Sequence, residues 1–185
     1  MIRHKWVASL VLTAGLGVSV PALADPPATA NVFQIGAGFR YGFEMEEGDF
    51  NPWGPGIGLD LGYTLENAIY LGGAFDYFFG DSTEEFGVEV SANIWQLMGE
   101  VGYDVGLGDA FVIRPKLGAG MASFNAEICA AGCTDDSETD FAIAPGASFM
   151  YLGEKISLSL DLRYDMIFAE EETANALIFS AGIGF

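Results

Sequence analysis

Residues 31–43 read NVFQIGAGFRYGF, and the way they divide decides the fold. Phe33, Ile35, Ala37, Phe39, Tyr41 and Phe43 occupy every second position, while Gln34, Gly36, Gly38, Arg40 and Gly42 lie between them. A two-residue period is that of a β-strand, whose successive side chains point to opposite faces. One face is large and apolar. The other is small or polar and carries one charge.

The same division recurs along the chain. Residues 56–64 set Ile57, Leu59, Leu61 and Tyr63 against Gly58, Asp60 and Gly62, and residues 68–79 set Ile69, Leu71, Phe75, Tyr77 and Phe79 against Gly72, Ala74 and Asp76. Residues 92–105 carry Trp95, Leu97, Val101, Tyr103 and Val105 opposite Gln96, Glu100, Gly102 and Asp104. Residues 110–121 carry Phe111, Ile113, Leu117 and Met121 opposite Arg114, Lys116, Gly118 and Gly120. The pattern continues through 140–152, 156–168 (with Asp161, Arg163 and Asp165 on the small face) and 176–185. That makes eight strands, each suited to a tilted membrane crossing of roughly 9–11 residues. Pro115 and Pro145 fall inside strands and lack the amide that a ladder needs, so bulges or local irregularity are expected there.

The connections alternate in length. Short turns are expected near 65–67, 106–109 and 153–155, and long connections over 44–55, 80–91, 122–139 and 169–175. The long ones hold Glu44, Glu46, Glu47, Asp49, Asp81, Glu84, Glu85, Glu89, Glu127, Asp135, Asp136, Glu138, Glu170, Glu171 and Glu172, and no lysine or arginine. Long outer loops and short periplasmic turns are the asymmetry of a bacterial membrane barrel.

Composition bounds the remaining choices. The 185 residues are 51% hydrophobic and 14% aromatic, yet 26 acids face 7 bases. Such a chain is not disordered, and its pI of 4.1 does not suit a nucleic-acid binder, which needs clustered cations. Residues 1–24 read as a signal peptide: Arg3, His4 and Lys5, an apolar run from Trp6 to Val20, then Pro21-Ala22-Leu23-Ala24 with cleavage after Ala24. Residues 25–30 then form a short lead and 31–185 one barrel domain. Removing the signal leaves 26 acids and 5 bases (7 less Arg3 and Lys5), a formal charge of −21, and no histidine, since His4 is the only one.

Face chemistry decides which side points inward. The interior of eight strands is only just wide enough for side chains or one small ligand, so the crowded face of Phe, Tyr, Trp, Leu and Ile belongs outside, against lipid. The small face carries Arg40, Asp60, Asp76, Glu100, Asp104, Arg114, Lys116, Asp161, Arg163 and Asp165. Four bases against six acids suit a narrow polar lumen in which buried charges must find partners. Aromatic residues at both strand ends form the two interfacial girdles of a membrane barrel.

The chain resembles the small eight-stranded outer-membrane proteins, among them the OmpA transmembrane domain and OmpX, over about residues 31–185. Strand count, loop asymmetry, the charged lumen and the terminal FSAGIGF carry the likeness. The resemblance implies an integral, all-β, antiparallel up-and-down barrel in a Gram-negative outer membrane. It also implies that Phe179, Ala181, Ile183 and Phe185 form the C-terminal signal read by the barrel assembly machinery. OmpA proteins continue into a peptidoglycan-binding domain; this sequence stops at the last strand, so tethering by that route is not implied.

Little in the sequence points to catalysis. Enzymatic barrels lean on a histidine or its equivalent, and the mature chain has none. No cofactor and no structural metal are expected. Cys129 and Cys133, spaced as CAAGC in an oxidising compartment, are expected to form a disulfide in the longest loop. The acidic loops suit a solvated surface or weak divalent bridging to lipopolysaccharide, with no EF-hand pattern. The expected function is a structural or surface-interaction barrel with outer-membrane lipid and lipopolysaccharide as surroundings. A small cation-preferring pore and a soluble periplasmic ligand-binding barrel are the alternatives.

Overall fold

A computed structural model describes residues 27–45, 51–80, 82–85, 88–129, 133–169 and 173–185, with the backbone alone for 83–85, 88 and 89. The expected signal peptide lies outside the described residues, as do Glu46, Glu47, Asp49, Asp81, Glu170, Glu171 and Glu172.

The described residues form ten strands: β1 (Val32–Glu44), β2 (Gly54–Thr64), β3 (Ile69–Phe78), β4 (Ser82–Glu85), β5 (Val88–Tyr103), β6 (Val105–Gly106), β7 (Phe111–Cys129), β8 (Cys133–Leu152), β9 (Ser157–Phe168) and β10 (Thr173–Gly184). Eight of them are staves. The antiparallel ladder runs β1–β2–β3–β5–β7–β8–β9–β10 and closes where Gly36 to Glu44 of β1 pairs with Gly184 to Ala176 of β10. Strand β4 lies beside the start of β5, and β6 continues the line of β5 along β7. The all-β, eight-stranded, up-and-down barrel expected from the sequence is the observed fold.

Alternation places the large apolar side chains outside. Ile57, Leu59 and Leu61 are exposed, whereas Gly56, Gly58 and Gly62, which alternate with them, line the interior. Closure gives the lipid-facing backbone its partners within the protein, the condition for strands to cross hydrocarbon. Rings pack at both ends of this belt, Phe111 against Phe149 and Tyr151 near one rim and Phe141 against Phe168 near the other.

Both prolines interrupt a ladder without shifting it. Pairing of β5 with β7 stops at Gly102–Lys116, just before Pro115, and resumes in the same register at Val105–Ile113 of β6. Pairing of β8 with β9 skips Ala144 and Pro145 between Ile143–Met166 and Gly146–Arg163. The irregularity is a local gap. The alternative of a bulge, which inserts an extra residue into one strand, does not occur at either proline.

Two expected loops are corrected. Most of 122–139 is strand, because β7 and β8 pair continuously from Phe111–Tyr151 to Cys129–Cys133. Part of 80–91 is also strand, as β4 and the start of β5. Their acidic, polar composition resembles a loop, but continuous pairing with neighbouring strands settles the conformation. Strands β5, β7 and β8 therefore project past the barrel rim, and the Cys129–Cys133 disulfide closes the tip of the β7–β8 hairpin.

Candidate functional site

The lumen gathers the chemistry of this molecule. Inward positions of six staves, with Asp104 just past the end of β5, bring together all ten charged residues singled out from the sequence. Each has an opposite charge within 3.3 Å. Near the end that carries the termini, the Arg114 guanidinium donates to Asp104 from Nη2 at 2.9 Å and to Gln34 Oε1 at 3.1 Å. Thr29 and Thr64 donate their hydroxyls to the same Asp104 carboxylate, at 2.5 and 3.0 Å. Arg114 also lies 3.6 Å above the ring of Tyr70, a cation–π contact strengthened by exclusion of water. Tyr70 lies flat over Gly62 and Gly72, where any Cβ would collide with its ring.

One level further in, Lys116 bridges Glu100 at 3.0 Å and Asp161 at 3.3 Å, and Ser148 donates to Asp161. Above that lies a chain of alternating charge. Asp60 meets Arg40 at 2.6 Å, Arg40 meets Asp76 at 2.9 Å, Asp76 meets Arg163 at 2.8 Å, and Arg163 meets Asp165 at 2.6 Å. Gln96 accepts from Arg163 at 2.9 Å. Charges removed from water need such partners, since an isolated buried ion costs several kcal/mol, roughly. A cavity of about 60 Å³ remains among Gln34, Asp60, Tyr70, Glu100, Lys116 and Asp161, room for a few waters.

The opposite end of the lumen differs from the expectation of small residues and charges throughout. Trp53, Phe78, Ile94, Met98 and Ile178 converge there, each no more than 2% exposed, with Ala122, Ala142, Ala176 and Ile167 between them. The Trp53 and Phe78 rings meet edge to face with centroids 5.2 Å apart. Phe78, Ile94, Met98, Ile167 and Ile178 stand at inward positions that the alternation could have revealed. Trp53 precedes β2 and gave no such signal; Asn51 places it, accepting from the Trp53 amide at 3.1 Å. Thr29 was equally hidden, in the lead before β1.

Elsewhere, Phe179, Ala181 and Ile183 lie on the outer face of β10, and Phe185, 69% exposed, follows it. Among the described residues the one group of three potential metal ligands is Glu127 with Cys129 and Cys133, and both sulfurs are already joined to each other.

The sequence matches the family described as outer membrane protein beta-barrel domain over residues 10–185. The chain belongs to that family. No curated protein matches it. Three solved structures show how far the outer-membrane barrel likeness extends. The attachment invasion locus protein of Yersinia pestis, in complex with the heparin analogue sucrose octasulfate, is similar at 17% identity and a TM-score of 0.60, covering 84% of this chain and 99% of that one. Neisserial surface protein A is similar at 15% identity and 0.58, covering 82% and 94%. A major outer membrane protein of Thermus thermophilus is similar at 14% identity and 0.59, covering 83% and 100%. At such identities the shared property is the fold.

Proposed function

We propose that this outer-membrane barrel does not conduct and that it works through its outer surface. One observation carries the reading: the five large side chains at the outer end of the lumen are at most 2% exposed, so water does not reach between them. Beneath them every lumen charge singled out above is engaged in an ion pair, and a pore would need some of those groups free to exchange with solvent or a passing ion. In this reading the lumen is a brace, and specificity resides in the connections and the projecting part of β5, β7 and β8.

The apolar belt meets outer-membrane lipid, and the outer connections stand among lipopolysaccharide headgroups. Divalent cations there would bridge loop carboxylates to anionic sugars, with no dedicated cage. The C-terminal strand would serve the assembly machinery as its recognition signal. The Yersinia pestis protein was crystallised with a polyanion, sucrose octasulfate. Here the projecting hairpin carries Glu127, Asp135, Asp136 and Glu138, so a polyanion is the wrong charge for this surface. Planar-bilayer recordings of the refolded protein test the reading. A flat baseline is expected; discrete steps would overturn it in favour of a pore, and six acids against four bases would make that pore prefer cations.

A further inference from the structure

Strands β5, β7 and β8 reverse their chemistry as they leave the membrane. On the outer face, the cross-strand row Leu97–Met121–Phe141 is apolar. The rows above it are Trp95–Ser123–Thr139, Asn93–Asn125–Ser137 and Ser91–Glu127–Asp135. Asn125 donates to Asn93 at 3.1 Å across this outer face. On the inner face the order is opposite. Above Gln96–Ala122–Asp140 come Ile94–Phe124–Glu138, Ala92–Ala126–Asp136 and Val90–Ile128–Thr134.

The seven residues from Ser123 to Cys129 rise about 20 Å, and three strands are about 10 Å across. The β7 strip of this inner face is apolar, with Phe124 and Ile128 37% and 50% exposed; beside it on β5 Val90 is half-buried, while Ala92 and Ile94 are already covered. The third strand lines it with Asp136 and Glu138, both exposed. An apolar strip beside an acidic strip, on a chain with no lysine or arginine in its outer connections, complements one kind of partner. We propose that this inner face docks a cationic amphipathic helix of about three to four turns. A helix is about 10–12 Å in diameter and rises 1.5 Å per residue, so some 13 residues would cover the face. Its apolar stripe would pack on Val90, Phe124, Ala126 and Ile128, and lysines or arginines on one flank would meet Asp136 and Glu138. The inference rests on the surface-acting reading above: a conducting lumen would sink both, whereas a silent barrel that binds no such helix sinks only this one.

The test uses the full barrel in phosphatidylcholine nanodiscs and a fluorescent 14-residue leucine/lysine amphipathic peptide, with empty nanodiscs and a leucine/glutamate peptide as controls. Saturable binding to the barrel is expected, with gain of helix by circular dichroism. The pairs Phe124→Ser with Ile128→Ser, and Asp136→Asn with Glu138→Gln, should each weaken it at least tenfold while leaving heat-dependent mobility in SDS gels at the parent's value. Should the double serine variant lose that mobility, Ile128→Ser alone serves. Equal binding to empty nanodiscs, equal binding of the leucine/glutamate peptide, gain of strand, or loss of affinity in the charge variant alone would each overturn the proposal.

Discussion

The two ends of the lumen close the same tube by opposite means. Toward the termini, Arg114, Lys116, Arg40 and Arg163 hold six carboxylates in three groups of ion pairs. Toward the outer side, Trp53, Phe78, Ile94, Met98 and Ile178 fill the cross-section with apolar volume. Apolar packing tolerates the loss of a group in proportion to the cavity left. Ion pairs respond asymmetrically, because removing one member strands the other without water. The charged end is therefore the more brittle and the apolar end the more forgiving.

Arg163→Met should give the largest effect, since it leaves Asp165 without its cation and takes one of two cations from Asp76, both carboxylates being wholly buried. A loss of about 3–5 kcal/mol is expected in guanidinium unfolding of the barrel in lipid vesicles. Adding Asp165→Leu should recover part of it. A double variant no better than the single would show that volume, and not stranded charge, governs this end. Trp53→Ala should come next at about 3 kcal/mol, from lost packing and a cavity, and should still give a flat baseline in planar bilayers because the ion pairs below remain. Discrete conductance from Trp53→Ala alone would assign closure to the apolar end.

Gly58→Ala probes the tightness of the charged part. Its new Cβ would press on Asp76 Oδ1 and on Arg40 Nε, and overpacking of this kind costs about 1–3 kcal/mol. A change within error would mean that the Arg40–Asp76 pair yields freely. Thr29→Ala should have the smallest effect, about 1 kcal/mol for one hydrogen bond, because Asp104 keeps Arg114 and Thr64. A loss as large as that of Arg163→Met would make the lead a principal element of the fold.

The eight staves were legible because lipid outside and a narrow space inside impose one rule on every second residue from Phe33 to Phe185. The partners of the charges were not legible: parity says that Arg40 and Asp76 face inward, but only the stagger of β1 against β3 brings them to 2.9 Å. The projecting strands escaped because Ser123, Asn125, Glu127 and Asp135 invert the face chemistry that identifies a stave. Trp53 and Thr29 escaped for another reason. They enter the lumen from outside the strands, where no period acts.

The hydroxyl of Thr29 has a consequence for order of assembly. Thr29 lies just ahead of β1, yet its acceptor, Asp104, sits between β5 and β6 and is held by Arg114 of β7 and Thr64 of β2. Residues near the start of the described chain thus fasten to a carboxylate whose own setting exists only after more than half of the chain has arrived. The lead cannot be seated early. Its docking reports that β2, β5 and β7 have met in the right register, so a segment ahead of the first stave is fastened by staves that follow it in the chain.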